Sequence, residues 1–120
     1  VEHWTNAAEQ GAVAAQNLLA TLRSEPLQPY SAVPFFWSDQ FDARIQFLGR
    51  AFATSTVDVV AGSVADGRWC AIYSTNDRLT GVLGVSMPKL VMPSRAMLST
   101  YTSRYDALQH FATVVAAQNK

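Results

Sequence analysis

The apolar positions of this chain change period twice. Over residues 7–22, Ala8, Ala12, Ala15, Leu19 and Leu22 recur at steps of three and four, the spacing of one helix face. Good helix formers fill the positions between them. Asn6 stands where a helix cap belongs, and Glu9, three places on, would complete a capping box. Most of the stripe is alanine. Small side chains allow close approach to a neighbour but bury little area, so such a helix packs inside a larger body.

Residues 24–34 hold Pro26, Pro29 and Pro34 and read as a linker, because proline blocks both helix and ladder hydrogen bonds. The period then falls to two. Phe41, Ala43, Ile45 and Phe47 alternate with Asp42, Arg44 and Gln46, which predicts a half-buried strand over 41–47. The β-branched stretch 56–64 predicts a second strand. Asp66-Gly67 is a hairpin turn signal, and residues 68–74 form the strand that follows. Asn76 and Asp77 make another turn before a strand over 79–85, where Gly81 and Gly84 mark a bulge or a close backbone neighbour. A helix opens at Ser86 or Met87, with Pro88 in its first turn, and runs towards Leu98. Another starts near Thr102 or Ser103 with Asp106 in its first turn and an apolar face of Leu108, Phe111, Ala112 and Val115. The fold class is therefore α+β: an antiparallel meander of four or five strands with C-terminal helices on one side.

Composition removes several function classes. The chain has 120 residues, enough for one domain. Nine basic residues balance nine acidic ones, and no basic stripe of the kind nucleic acid requires is visible. The apolar runs are too short for a membrane span, and the first residues lack the layout of a signal peptide. Cys70 is the single cysteine, so no intrachain disulfide forms, which fits a reducing, cytoplasmic setting. It reads as a small buried hydrophobe. His3 and His110 lie far apart, which leaves no ligand cluster for a metal. No phosphate-binding glycine motif and no serine elbow is present. A self-contained enzyme would need a nucleophile or an acid–base constellation, and none is found.

The run Phe35, Phe36, Trp37 is the one conspicuous cluster. Core packing accounts for part of it. Three consecutive aromatics cannot all face one way, so at least one points to a partner, a cofactor or another domain. Trp4, just before the helix, has the same two readings.

These residues also carry a family likeness. The segment 2–10, with Ala14, Ala15, Asn17 and Leu18, resembles the end of the FAD-binding domain in the oxygenase-coupled ferredoxin reductases of the putidaredoxin-reductase type. Val33-Pro-Phe-Phe-Trp-Ser-Asp-Gln-Phe-Asp42, with Ile45, Gln46 and Gly49, is similar to the opening of their small C-terminal domain. Gly81-Val-Leu-Gly-Val85 before Pro88 resembles its last strand and helix start. The resemblance implies three parts: residues 1–23 as an interface helix closing a truncated FAD-binding domain, 24–34 as linker, and 35–120 as the small reductase domain. The chain is then expected to be the C-terminal end of a larger flavoprotein that passes electrons from NAD(P)H through FAD to a ferredoxin or rubredoxin.

By that resemblance Glu2 and Trp4 sit near the flavin ring, the helix opening at Asn6 turns its amides towards it, and Phe36 and Trp37 cover its edge. His3 is compatible with a cofactor hydrogen bond or, preferably, an exposed loop. Arg44, Arg50, Arg68 and Arg78 are candidates for a rim that docks an acidic carrier, or else a solvated surface. The upstream glycine motifs are not in this chain, so FAD and NAD(P)H belong to the full-length parent and no cofactor is expected on the fragment alone. The tail after Tyr101 departs from the extended family ending. The alternative function is a non-catalytic interaction or dimerisation module built on the same domain, in which the alanine-rich helix packs on a second copy.

Overall fold

The computed structural model describes residues 3–119. Helix α1 (Trp4–Leu22) comes first. It begins two residues before the expected cap. His3 is the N-cap residue and supplies no side-chain cap bond. Asn6 lies inside the first turn, where its Oδ1 accepts from Gln10 Nε2 at 3.0 Å. The Asn6–Glu9 capping box is therefore not formed. Glu9 is drawn away by the linker: the Tyr30 hydroxyl donates to its Oε2 at 2.9 Å.

Asn17, two turns further on, grips the same linker. Its Nδ2 donates to the Gln28 carbonyl at 2.9 Å and its Oδ1 accepts from the Gln28 amide at 2.8 Å. A side-chain amide thus replaces the backbone partner that the proline-flanked segment lacks. The polar face of α1 is the one engaged. The predicted apolar stripe stays exposed, and none of the helix's 19 residues is buried.

Five strands follow: β1 (Phe35–Gln40), β2 (Ala43–Gly49), β3 (Thr56–Ser63), β4 (Arg68–Thr75) and β5 (Arg78–Val85). They form one antiparallel sheet in the order β1-β2-β5-β4-β3. Strands β3, β4 and β5 are a meander through the two predicted turns. The β1–β2 hairpin lies along the free side of β5, so the chain leaving β2 crosses to the far edge before it returns.

The stretch 41–47 is not one strand. Phe41 and Asp42 are the turn between β1 and β2, and Phe41 has φ 56° with its ring fully exposed. A left-handed residue ends the strand whatever its hydropathy. The buried side of β2 is also the opposite of the predicted one. Gln46 and Leu48 face the core, whereas Ile45 and Phe47 are half-buried on the other face. Gln46 reaches Met92, with Nε2 3.8 Å from the sulfur.

The helix expected from 86 to 98 is broken into α2 (Pro88–Val91), a 3-10 turn (Met92–Ser94) and α3 (Arg95–Ser99). Pro93 is the cause. It has no amide proton to donate and its ring crowds the preceding turn. Helix α4 (Arg104–Gln118) starts as expected, with the Ser103 hydroxyl accepting from the Asp106 amide at 3.0 Å. The strand-like lead-in is pinned to β5 by Leu79 N to Thr102 O at 2.8 Å.

Helices α2 and α4 close the core on one face of the sheet. Leu48, Cys70, Ile72, Val82, Val91 and Phe111 are among its fully buried side chains. Arg104 ties α4 to the edge strand β3, donating from Nε and Nη2 to both Asp58 oxygens at 2.9 and 2.8 Å. Those bonds hold the Asp58 carboxyl below the usual carboxylate range. Burial alone pushes the Cys70 thiol up to about 12. The opposite face of the sheet carries Phe36, Ile45, Phe47, Leu83, Trp69 and Tyr73, which the strand registers place side by side, all of them half-buried.

Candidate functional site

Alternation along β1 sends its consecutive aromatics to different faces. Phe35 and Trp37 point to the helix-covered side, where their rings stack with centroids 5.7 Å apart. Phe36 points to the open side. It joins a row in which the Phe36 and Phe47 centroids are 5.6 Å apart and Phe47 and Tyr73 meet edge to face at 5.5 Å. Cross-strand aromatic pairs of this kind hold one another's orientation.

The start of α1 meets the same strand. His3 stacks on Phe36, with centroids 4.6 Å apart and planes 25° from parallel. Trp4 meets Trp37 edge to face at 6.1 Å. Two segments some thirty residues apart in the chain therefore meet ring to ring around the β1 edge of the sheet, His3 with Phe36 on the open face and Trp4 with Trp37 towards the helix-covered face, and together they form an aromatic wall along that edge. Trp4 remains 74% exposed and Trp37 38%. These two rings make contact and still keep solvent-exposed surface, Trp4 far more than Trp37, which separates them from fully buried core aromatics.

The site residues expected from sequence divide as follows. Trp4, Phe36 and Trp37 are brought together. Asn6 lies within the first turn of α1, so the first amides of the helix belong to Trp4 and Thr5 rather than following an Asn6 cap. Glu2 lies outside the described residues. His3 is no exposed loop residue, because it is half-buried against Phe36. Its position directly before a tryptophan and at the cap was the available signal. The physical reason it was missed is that the partner ring comes from β1, which a local reading cannot see. Phe47 and Tyr73 also belong to the wall, through strand register alone.

Beside the wall lies a cleft of about 240 Å³ lined by His3, Phe36, Phe47, Arg50 and Phe52. A larger cleft of about 520 Å³ adjoins it and shares Pro34, Gly49, Arg50 and Phe52. Tyr30, at the linker side, has its pKa raised by burial and by the hydrogen bond to Glu9, with Arg50 and Arg95 acting in the other direction. No group of described His, Cys, Asp and Glu residues could hold a metal ion, and no described helix is long and apolar enough to cross a membrane. The wall offers ring surface and shelter from water. It brings no nucleophile and no proton-transfer pair to the aromatic rings.

Residues 35–111 match the family described as reductase C-terminal. The chain is 34% identical over 91 residues to rhodocoxin reductase of Rhodococcus erythropolis, covering 76% of this chain and 21% of that protein. It is 33% identical over 98 residues to the ferredoxin reductase subunit of 5,5'-dehydrodivanillate O-demethylase from a Sphingobium species, covering 82% of this chain and 22% of that one. The chain thus spans about a fifth of the length of these curated relatives. Among solved structures, that of Fdr9 superimposes with a TM-score of 0.76 at 31% identity, over 89% of this chain and 27% of the other. The covalent putidaredoxin reductase–putidaredoxin complex shares the fold, with a TM-score of 0.70 at 23% identity over 98% of this chain and 28% of the other.

Proposed function

The chain belongs to the reductase C-terminal family, and from that premise we propose that it is the closing part of an NAD(P)H-dependent, FAD-containing reductase that delivers electrons to a ferredoxin or rubredoxin. In this reading residues 1–23 end the FAD-binding domain, 24–34 are the linker, and 35–120 are the small domain that covers the flavin. The activity belongs to the whole parent, which is soluble and cytoplasmic. This piece alone is inactive.

The observation that carries the proposal is the aromatic wall. His3 and Trp4 come from one segment, Phe36 and Trp37 from another, and the two meet ring to ring while Trp4 and Trp37 keep an exposed face. Those exposed rings fit a flat, apolar ring system. FAD, when bound, supplies the hydride-accepting and electron-releasing chemistry. The side chains of this chain do the rest. Trp4, Phe36 and Trp37 would shield the bound ring system from water and oxygen. His3 props the Phe36 ring from its outer side, and Phe47 holds it from within the sheet. The uncapped first amides of α1 favour negative charge in front of the helix.

The test is made in the full-length parent. It should show the visible absorption of bound flavin. Trp37→Ala and Phe36→Ala should raise carrier-independent NAD(P)H oxidation by oxygen while flavin content stays constant. Unchanged oxidase rates in both variants would refute the shielding role. A colourless parent would instead favour the second reading, an interaction or dimerisation module, for which the uncovered Leu18, Leu19 and Leu22 of α1 are the supporting feature.

A further inference from the structure

Residues 24–34 do more than connect, because α1 holds them along its length. The Glu25 amide donates to the Ala20 carbonyl at 2.8 Å as the chain leaves the helix. Asn17 then takes Gln28 by both of its backbone groups, at 2.9 and 2.8 Å. The Tyr30 hydroxyl reaches back to Glu9 at 2.9 Å. Past Tyr30, the Pro34 carbonyl accepts from the Gly49 amide at 2.8 Å, which pins the end of the linker to the sheet. Phe36 and Trp37 come next in the chain and meet His3 and Trp4. The linker therefore runs back beside α1 from its last turn to its first.

Two features make this run a strap rather than a loose return. The first is register. Asn17 needs a residue that offers both an N–H and a C=O. Pro29 has no N–H, so a slip of one place towards it loses a bond. Pro26 and Pro29 also fix their own φ angles on either side of Gln28, so the linker loses little freedom when it docks. The second feature is spread. His3 and Asn17 stand about 21 Å apart along α1 by the rise of a helix, with Glu9 between them. Ties distributed over that length resist rotation. The ring contacts at the N-terminal end alone would leave a pivot.

The strap uses one side of α1. Glu9 and Asn17 are half-buried under it, while Leu18, Leu19 and Leu22 stay exposed. On the division proposed above, α1 belongs to the FAD-binding domain and the sheet to the small domain. The bonds from α1 to the linker then cross the boundary between the two.

We propose that Asn17, Glu9 and Tyr30 are positioning residues: they strap the linker to α1 and so fix the small domain at the angle where Phe36 and Trp37 meet His3 and Trp4. This inference rests on the function proposed above. The three residues act through the backbone of 28–34 and leave the shielding of the flavin to the rings. With the strap released, the linker becomes a hinge and the two halves of the aromatic wall separate.

The experiment uses the full-length, flavin-loaded reductase and two readouts. One is the exciton couplet of Trp4 with Trp37 in far-ultraviolet circular dichroism, taken as the difference between each protein and its Trp37→Phe counterpart. The other is NAD(P)H oxidation by oxygen without a carrier. Asn17→Ala and Tyr30→Phe should each raise the oxidation rate about threefold to tenfold, the factor by which losing about one net hydrogen bond raises the population of freed linker. The double variant should lose most of the couplet at constant flavin content. Glu9→Gln keeps an acceptor for the Tyr30 hydroxyl and should leave both readouts at the parent level. Arg104→Gln breaks the Asp58 pair at the far edge of the sheet, and should lower Tm while moving neither readout. A double variant with an intact couplet, or an equal loss of couplet in Arg104→Gln, would overturn the proposal. A lost couplet with an unchanged oxidation rate supports the strap and refutes the shielding role beneath it. A parent without flavin refutes the functional reading, and the couplet then decides the strap by itself.

Discussion

Gly84 gives the sharpest test of how this domain is packed. It lies in β5 under α2, and a Cβ built on it would run into the Val91 Cγ2 methyl, with the Met87 carbonyl oxygen 3.6 Å away. Gly84 and Val91 are both buried, so neither side can yield into solvent. Gly84→Ala should therefore destabilise. Overpacking of one methyl costs about 1–3 kcal/mol, and the stiffer unfolded chain returns about 0.4–1 kcal/mol, leaving a net loss of about 1–2 kcal/mol. Val91→Ala deletes two buried methyls at about 0.8 kcal/mol each and leaves a small cavity, for a loss of about 2–3 kcal/mol. In the double variant the alanine methyl at 84 occupies space that the valine vacated. The combined loss should then be about 1–2 kcal/mol rather than the sum, a coupling of about 2 kcal/mol. Urea denaturation followed by tryptophan fluorescence measures it. With a slope of about 1–3 kcal/mol/M for a protein of this size, the coupling shifts the midpoint by roughly 1 M. If the two single losses simply add, to within about 0.5 kcal/mol, Gly84 and Val91 are not in contact and the packing argument is wrong.

Two further outcomes follow from the buried and bridged groups. The folded Asp58 pKa is depressed, so its bond to Arg104 stabilises the fold above the ordinary value of 3.8 and loses its effect as pH falls through the lower folded value; the Tm advantage over Asp58→Asn should be full at about pH 6 and vanish at strongly acidic pH, and equal differences at both would rule the ion pair out. Cys70, whose pKa is raised from 9.0 to about 12 by burial, carries about a thousandfold less thiolate than an exposed thiol; it should react slowly with an aromatic disulfide at pH 8 and rapidly in denaturing urea, and fast reaction in the native protein would contradict its burial.

The legible parts of the sequence were those whose information is local. Strands β3, β4 and β5 are bounded by Asp66-Gly67 and Asn76-Asp77, whose turn chemistry is intrinsic to the residues. Asn76, Asp77 and Gly67 adopt the positive φ angles these residue types favour. Helix α4 announced itself through Ser103 and Asp106 in the same way. Gly81 of β5 also read correctly as a place of close backbone approach, whereas Gly84 is crowded by the Val91 side chain instead.

What failed was non-local or contrary to residue type. The β1–β2 turn falls on Phe41, an aromatic in a conformation that aromatics rarely adopt, and alternation ran straight through it. Which face of β2 is buried depends on where α2, α3 and the 3-10 turn lie, so Gln46 could not be assigned inwards from the pattern. Asn6 made a plausible cap only while Glu9 was thought to be free, and Tyr30 claims Glu9 from 21 residues away. For the candidate site, the individual aromatics were legible, but their meeting required the linker to fold back along α1. That fold-back is written in two side chains, Glu9 and Asn17, which carry no signal on their own.

The one-sided cover of the sheet has a calorimetric consequence. Val57 and Val59 of β3 are each about half exposed in the folded chain, at 50% and 51%, on the face that also carries Trp69 and Tyr73. Surface that is already wet adds nothing when the chain unfolds. The heat-capacity increment of this chain should therefore fall below the usual ~12–15 cal/mol/K per residue, and its stability should vary less with temperature than that of a domain covered on both sides. Whatever comes to lie on that face would restore the curvature, so the heat capacity of unfolding is itself a measure of how much of the sheet has been covered.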